Sequence, residues 1–197
     1  MNEQLRTELL QMQANDRNTR RELIDAGTLY GAHLPKDWYH PRMAAIHRNN
    51  STRMQAIIVE CGWPGRSLVD DDGNEAAWQI VQHAILNPTL QQNALPLLEQ
   101  AVQTGEAAAW QWAMLTDRVL MEAGQPQIYG SIHVGSEDGT LVPWPITDPD
   151  QVNVRRQAVG LPPLEEQTDT LKQRVATEQS VQQSAQAKQS ADTGEQV

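Results

Sequence analysis

Apolar residues return at helical spacing along most of the first 160 positions, and each such stretch predicts a helix. Leu5, Leu9, Met12 and Leu23 keep one face over residues 2–24. Met43, Ile46, Met54, Ile57, Ile58 and Cys61 do so over 41–61, and Pro41 suits a first helical turn. "GWPGRSLVDDDGN" reads as a Gly/Pro loop, followed by a third helix over 75–86. Asn87 and Pro88 form a cap and first position for a fourth helix, which Pro96 should kink or split and Gly105 should end. A fifth helix spans 106–124, and Gly124 is a good terminator.

Beyond Gly124 the pattern changes. "QIYGSIHV" and "TLVPWPI" alternate loosely around "GSEDG", so a β-hairpin is expected near 127–146. Asp148, Pro149 and Gln151 suggest a capping box opening a short helix that ends at Gly160. From 165 to 197 the chain has no aromatic residue and is rich in Gln, Ser and Thr. Apart from a short helix around Leu171, it should be a flexible, disordered tail. The expected architecture is mostly α: one bundle-like domain over residues 1–164, a small hairpin, and the tail.

Several helices carry a polar group on or beside the stripe that should be dry. Asp16 lies on the stripe of the first helix, with Arg20 one turn on. His47 and Asn50 fall within the stripe of the second. His83 sits at the edge of the face made by Ala77, Val81 and Ala84. Asp117 falls between Trp110 and Ala113, while Gln111, Arg118 and Glu122 form an exposed arc. Burying an unpaired charge costs several kcal/mol, so such groups need partners, water or a metal.

In a bundle these stripes converge, so Asp16, Arg20, His47, Asn50, His83 and Asp117 would line one internal pocket. His47 or His83 would act as general base or ligand, Asp16 and Asp117 as ligands or orienters. Arg20 would neutralise an anionic group, and Gln127 and Tyr129 would cover one mouth. Each has a plainer alternative: an Asp16–Arg20 salt bridge, satisfied histidines, an interhelical Asn50 bond, a loop N–H on Asp117. A divalent metal such as zinc, manganese or iron suits carboxylates with imidazoles. No HExxH, CxxC pair or His pair at i, i+4 supports it, so the cofactor stays open.

Composition narrows the partners. The 197 residues carry a net charge of −10, which disfavours duplex nucleic acid and anionic membrane surfaces. A single Cys allows no internal disulfide, and Cys61 on its stripe reads as a small core residue. No run approaches a membrane span and no leader is evident at the start, so the expected location is the cytoplasm.

"GWPGRSLV", "AAWQIVQHA", "LPLLEQAVQTGEA", "LTDRVLMEAGQPQIYG" and "LVPWPITDPDQVNVRRQAVGLPPL" together resemble a bacterial family of unknown function. The resemblance runs to Leu164 and implies no established activity. It implies recurrent polar positions at Asp16, Asn50, His83, Gln91, Asp117, Arg118, Gln127 and Tyr129. It also implies departures in this chain: an acidic residue is usual at His47, Gly at Asp70, Asp at Asn87 and Gln at Ile132. Two functions are therefore expected. One is a small enzyme or small-molecule binder with an internal His/Asp pocket, for which metal-assisted hydrolysis is the least specific fit. The alternative is a non-catalytic interaction module with a structural polar network, meeting a protein through the Trp38 and Trp63 loops or the tail.

Overall fold

The computed structural model describes residues 1–29, 40–136 and 140–194, with side chains through 189. Trp38 lies outside them. The described chain forms α1 (Glu3–Asp25), α2 (Pro41–Cys61), α3 (Arg66–Gln82), α4 (Pro88–Gln103) and α5 (Ala109–Glu122). Then come β1 (His133–Gly135), β2 (Leu141–Pro143), a 3-10 turn (Pro149–Gln151), α6 (Val152–Ala158) and α7 (Leu164–Gly194).

Caps set the starts of α1 and α4. Asn2 Oδ1 accepts from Leu5 N at 3.1 Å, and Asn87 Oδ1 accepts from Leu90 N at 3.2 Å. The stripes named from the sequence then bury Leu5 and Leu9 of α1 and Met54 and Ile57 of α2 in one core, which Leu90 and Leu98 of α4 and Leu115 of α5 complete. Trp78 and Trp110 meet edge-on with centroids 4.6 Å apart, and Trp78 Nε1 donates to the Gln111 carbonyl at 2.9 Å. Indoles thus fill volume that phenylalanine would otherwise fill.

α1 is the hub. Along α3 its pairings hold nearly one offset: Arg6–Asp72 and Gln13–Gln79 at 66 residues, Asp16–His83 at 67. The two helices are therefore parallel. Along α2 the separation shrinks from 45 at Glu8–Arg53 to 31 at Asp16–His47 and 20 at Glu22–Arg42, so that pair is antiparallel.

Several expectations are corrected. "SLVDDDGN" is not a loop: α3 starts at Arg66 and passes through a break at Asp70, where φ is 63° and ψ 175°. Glu106 caps it, accepting from Ser67 N at 2.8 Å, and Gly73 lies where a Cβ would come within 2.8 Å of Val69 Cβ and 3.3 Å of Arg6 Cγ. Helix here depends on neighbours the local sequence does not show. Pro96 does not split α4, which runs unbroken to Gln103. Cys61 is exposed rather than core: as the last residue of α2 it lines the open cleft beside Trp63, while Ile57 one turn earlier is fully buried. Burial of its sulfur, then Glu60, raises the thiol above its ordinary range. Gln111 is buried, not part of an exposed arc, since its Oε1 accepts from Ala108 N at the start of α5. The Asp148 carboxylate caps nothing; that residue turns the chain with φ 45°.

The hairpin forms with three-residue strands, Val134 opposite Val142. The short helix allowed around Leu171 is longer than expected. α7 lies against α1, with Gln186 Nε2 on the Gly27 carbonyl at 2.7 Å and Gln189 Nε2 on the Ala26 carbonyl at 3.1 Å.

Asp70 holds a conformation that only glycine adopts readily, at a cost of about 1–3 kcal/mol. Asp70→Gly is expected to stabilise the protein by about 1 kcal/mol after the extra chain entropy of glycine, a rise in Tm of about 2–4 °C measurable by thermal unfolding. An unchanged or lower Tm would show that the break carries no strain.

Candidate metal centre

The opposed registers of α2 and α3 against α1 bring three titratable groups to one point. Asp16 comes from the middle of α1, His47 from α2, and His83 is the residue that closes α3. Asp16 Oδ1 lies 3.2 Å from His47 Nε2, and Oδ2 lies 2.5 Å from His83 Nδ1. The imidazole centroids are 5.4 Å apart. One donor atom from each of the three residues lies within 4.8 Å of the other two. Asp16 and His47 are buried, while the His83 side chain is 39% exposed and forms the open side.

Burial acts to raise the Asp16 pKa. Hydrogen bonds from His47 and then His83 outweigh it and hold the carboxyl well below its ordinary value of 3.8. Asp16 is therefore an anion at neutral pH, bracketed by two imidazoles.

Supporting residues fix the arrangement. Gln91 is fully buried, and its Nε2 donates to the carbonyls of Val81 and Gln82 at 3.0 and 3.2 Å. It thereby satisfies the end of α3 next to His83. Asn50, one turn from His47, is buried and donates to the Met12 carbonyl at 3.5 Å. It ties α2 to α1 beside the centre.

The expected six-residue pocket is only partly assembled. Arg20 does not pair with Asp16: its guanidinium holds Glu178 of α7 at 2.7 and 2.6 Å. Asp117 belongs to a second cluster. Fully buried, it accepts from Ile128 N and Tyr129 N through Oδ1 (2.7 and 2.9 Å) and from Ser131 N through Oδ2 (2.9 Å). Gln127 serves the same loop, with Oε1 on Ile132 N at 2.8 Å and Nε2 on the Ile132 and Trp144 carbonyls. Tyr129 packs edge-on against Trp112 at 6.1 Å. The loop after α5 needs these groups for its own backbone. Cavities of about 450 and 270 Å³ lie elsewhere, beside Asp25 and α7, and beside Trp63.

The stripe pattern gave no sign of Arg156. It is fully buried in α6 and donates to the carbonyls of Pro162 (2.6 Å) and Tyr129 (2.7 Å) and to the Gln167 amide oxygen. Glu178 was equally invisible inside a polar segment.

The profile of a family of unknown function, DUF6624, matches residues 3–178. The chain belongs to that family. No curated protein and no solved structure matches it. The DUF6624 match takes in α1 through Glu178, hence both polar clusters and the Arg20 pair. The departures that the resemblance implies have local physical meaning. Glycine fits the backbone at Asp70. Asn87 still caps α4. Ile132 is buried with its N–H and C=O held by the Gln127 amide. An acidic residue in place of His47 would give the centre two carboxylates and one imidazole, a harder donor set.

Proposed function

We propose that Asp16, His47 and His83 hold a divalent transition-metal ion and that the protein uses it on a small-molecule substrate, with hydrolysis the simplest reaction. The observation that carries this reading is the convergence of one carboxylate and two imidazoles, with donor atoms all within 4.8 Å. Donors on one tetrahedral ion at bond lengths of about 2.0–2.1 Å stand roughly 3.3 Å apart. The observed spacing needs only side-chain adjustment to reach that. Three protein ligands leave a fourth position for water, and a bound ion lowers that water's pKa towards about 7. The half-exposed side of His83 would give access to it. The alternative, a structural network in an interaction module, is supported by the two imidazole contacts that already occupy Asp16.

Metal analysis separates the two. After equilibration with Zn²⁺, Mn²⁺ or Co²⁺ and desalting, about one ion per chain is expected for at least one of them. At free metal near 100 times Kd the stabilisation should be about 2.7 kcal/mol, a Tm rise of about 5–10 °C for a chain of this size. His47→Gln and His83→Gln should each abolish both effects. Metal content that ignores these substitutions, or no shift with any ion, would leave the interaction reading.

A further inference from the structure

α7 is an unusual neighbour for a core helix. Among its described side chains only Gln182 is buried, and Val181 is 40% exposed. Its partly buried leucines and valine, Leu164, Leu171 and Val175, all precede Glu178, and among the described side chains no leucine, isoleucine or valine beyond that point is buried. Its described hold on α1 includes the Glu178–Arg20 pair and amide bonds from Gln186 and Gln189 to the carbonyls that end α1. A groove of about 450 Å³ remains between Asp25 and the α7 residues Ser180, Val181 and Lys188. The two glutamine contacts lie at the partly exposed end of the seam, where an amide bond exchanges readily with water.

The register places this seam beside the metal centre. α7 runs parallel to α1, with offsets of 158 at Arg20–Glu178 and 159 at Gly27–Gln186. α3 ends at Gln82, level with Asp16, and α7 accompanies α1 from Arg20 onward. Arg20 follows Asp16 by four residues, so the two side chains share one helix face about 5–6 Å apart at Cβ. The Glu178 carboxylate meets the guanidinium through both oxygens, at 2.7 and 2.6 Å, and its side chain is only 14% exposed. That two-pronged fit is how arginine holds carboxylates and phosphates.

We propose that Arg20 is the anchor for an anionic group of the ligand, a carboxylate or phosphate, and that Glu178 occupies that anchor as an internal stand-in. α7 is then an autoinhibitory strap: an anionic ligand displaces Glu178, and α7 lifts from α1. The inference rests on reading Asp16, His47 and His83 as the reactive centre, and it supplies that centre's substrate class.

The test uses the full chain stripped of metal, so that an ion at the centre cannot bind the probe. Inorganic phosphate and acetate are titrated separately by calorimetry against wild type, Glu178→Gln, and Glu178→Gln with Arg20→Gln. Glu178→Gln should bind at least one probe ten-fold or more tighter than wild type, and the double variant should lose that gain. Whichever probe responds identifies phosphate or carboxylate. The paired substitution Gln186→Ala with Gln189→Ala loosens α7 without touching the ion pair and should also raise affinity, by three-fold or more, with faster amide exchange in α7. The proposal is overturned if both strap variants stay within three-fold of wild type, or if the gain survives loss of Arg20. Metal stoichiometry, measured on the same variants, should stay at the wild-type value, so a failed anion site and a failed metal site give different results.

Discussion

Asp117→Ala is expected to lower the unfolding free energy by about 3–6 kcal/mol, enough to unfold much of the population at 37 °C. The carboxylate accepts from the N–H groups of Ile128, Tyr129 and Ser131 in a fully buried site. Removing it leaves three buried donors without acceptors, each worth about 1–3 kcal/mol. Asp117→Asn should cost about half as much, because one oxygen can still serve Ile128 and Tyr129 while the new NH₂ faces Ser131 N–H. Urea unfolding of both variants measures this, and a loss under about 1 kcal/mol for alanine would mean that the loop finds other acceptors. Because Asp117 holds the loop and does not touch Asp16, His47 or His83, the metal binding proposed for those residues should be unchanged in the folded Asn variant.

Arg156→Ala should be the second most damaging change, at about 3–5 kcal/mol. Burial lowers the guanidinium pKa, while Asp117 and Glu165 act to raise it. The side chain links three pieces of chain: the Tyr129 carbonyl after α5, the Pro162 carbonyl after α6, and Gln167 in the first turn of α7. Alanine orphans those acceptors and opens a cavity. Lysine has one ammonium and cannot span all three directions, so Arg156→Lys should recover less than half of the loss. Hydrogen exchange should quicken at 164–170 in both variants before it does in α1. Full stability of Arg156→Lys would contradict this account of the residue.

What the sequence revealed followed from which interactions are local. The stripes of α1 and α2 repeat every turn, so those helices were legible, and so was the oddity of Asp16 and His47 upon them; α4 and α5 were legible from the Asn87–Pro88 start and the Gly124 stop. His83 was legible as an edge position only, because its role depends on α3 ending where α1 carries Asp16. Asp117 looked equally eligible for the pocket. Its separation from it depends on Ile128, Tyr129 and Ser131 folding back, and nothing within α5 encodes that return. The break at Asp70 was hidden for a similar reason: Glu106 caps α3 from 39 residues away, while "DDDGN" alone has loop chemistry. Arg20 was expected to serve either Asp16 or an anion. Its partner lies 158 residues on, in a segment whose composition gives no hint of docking.

That separation has a consequence for how the molecule comes into being. At about 5–20 residues per second on the ribosome, the 158 residues between Arg20 and Glu178 take roughly 8–30 s to synthesise. α1, α2 and α3 supply all three donors of the centre, and they emerge well before α7 exists. A nascent chain can therefore bring Asp16, His47 and His83 together before Glu178 reaches the guanidinium one turn along α1.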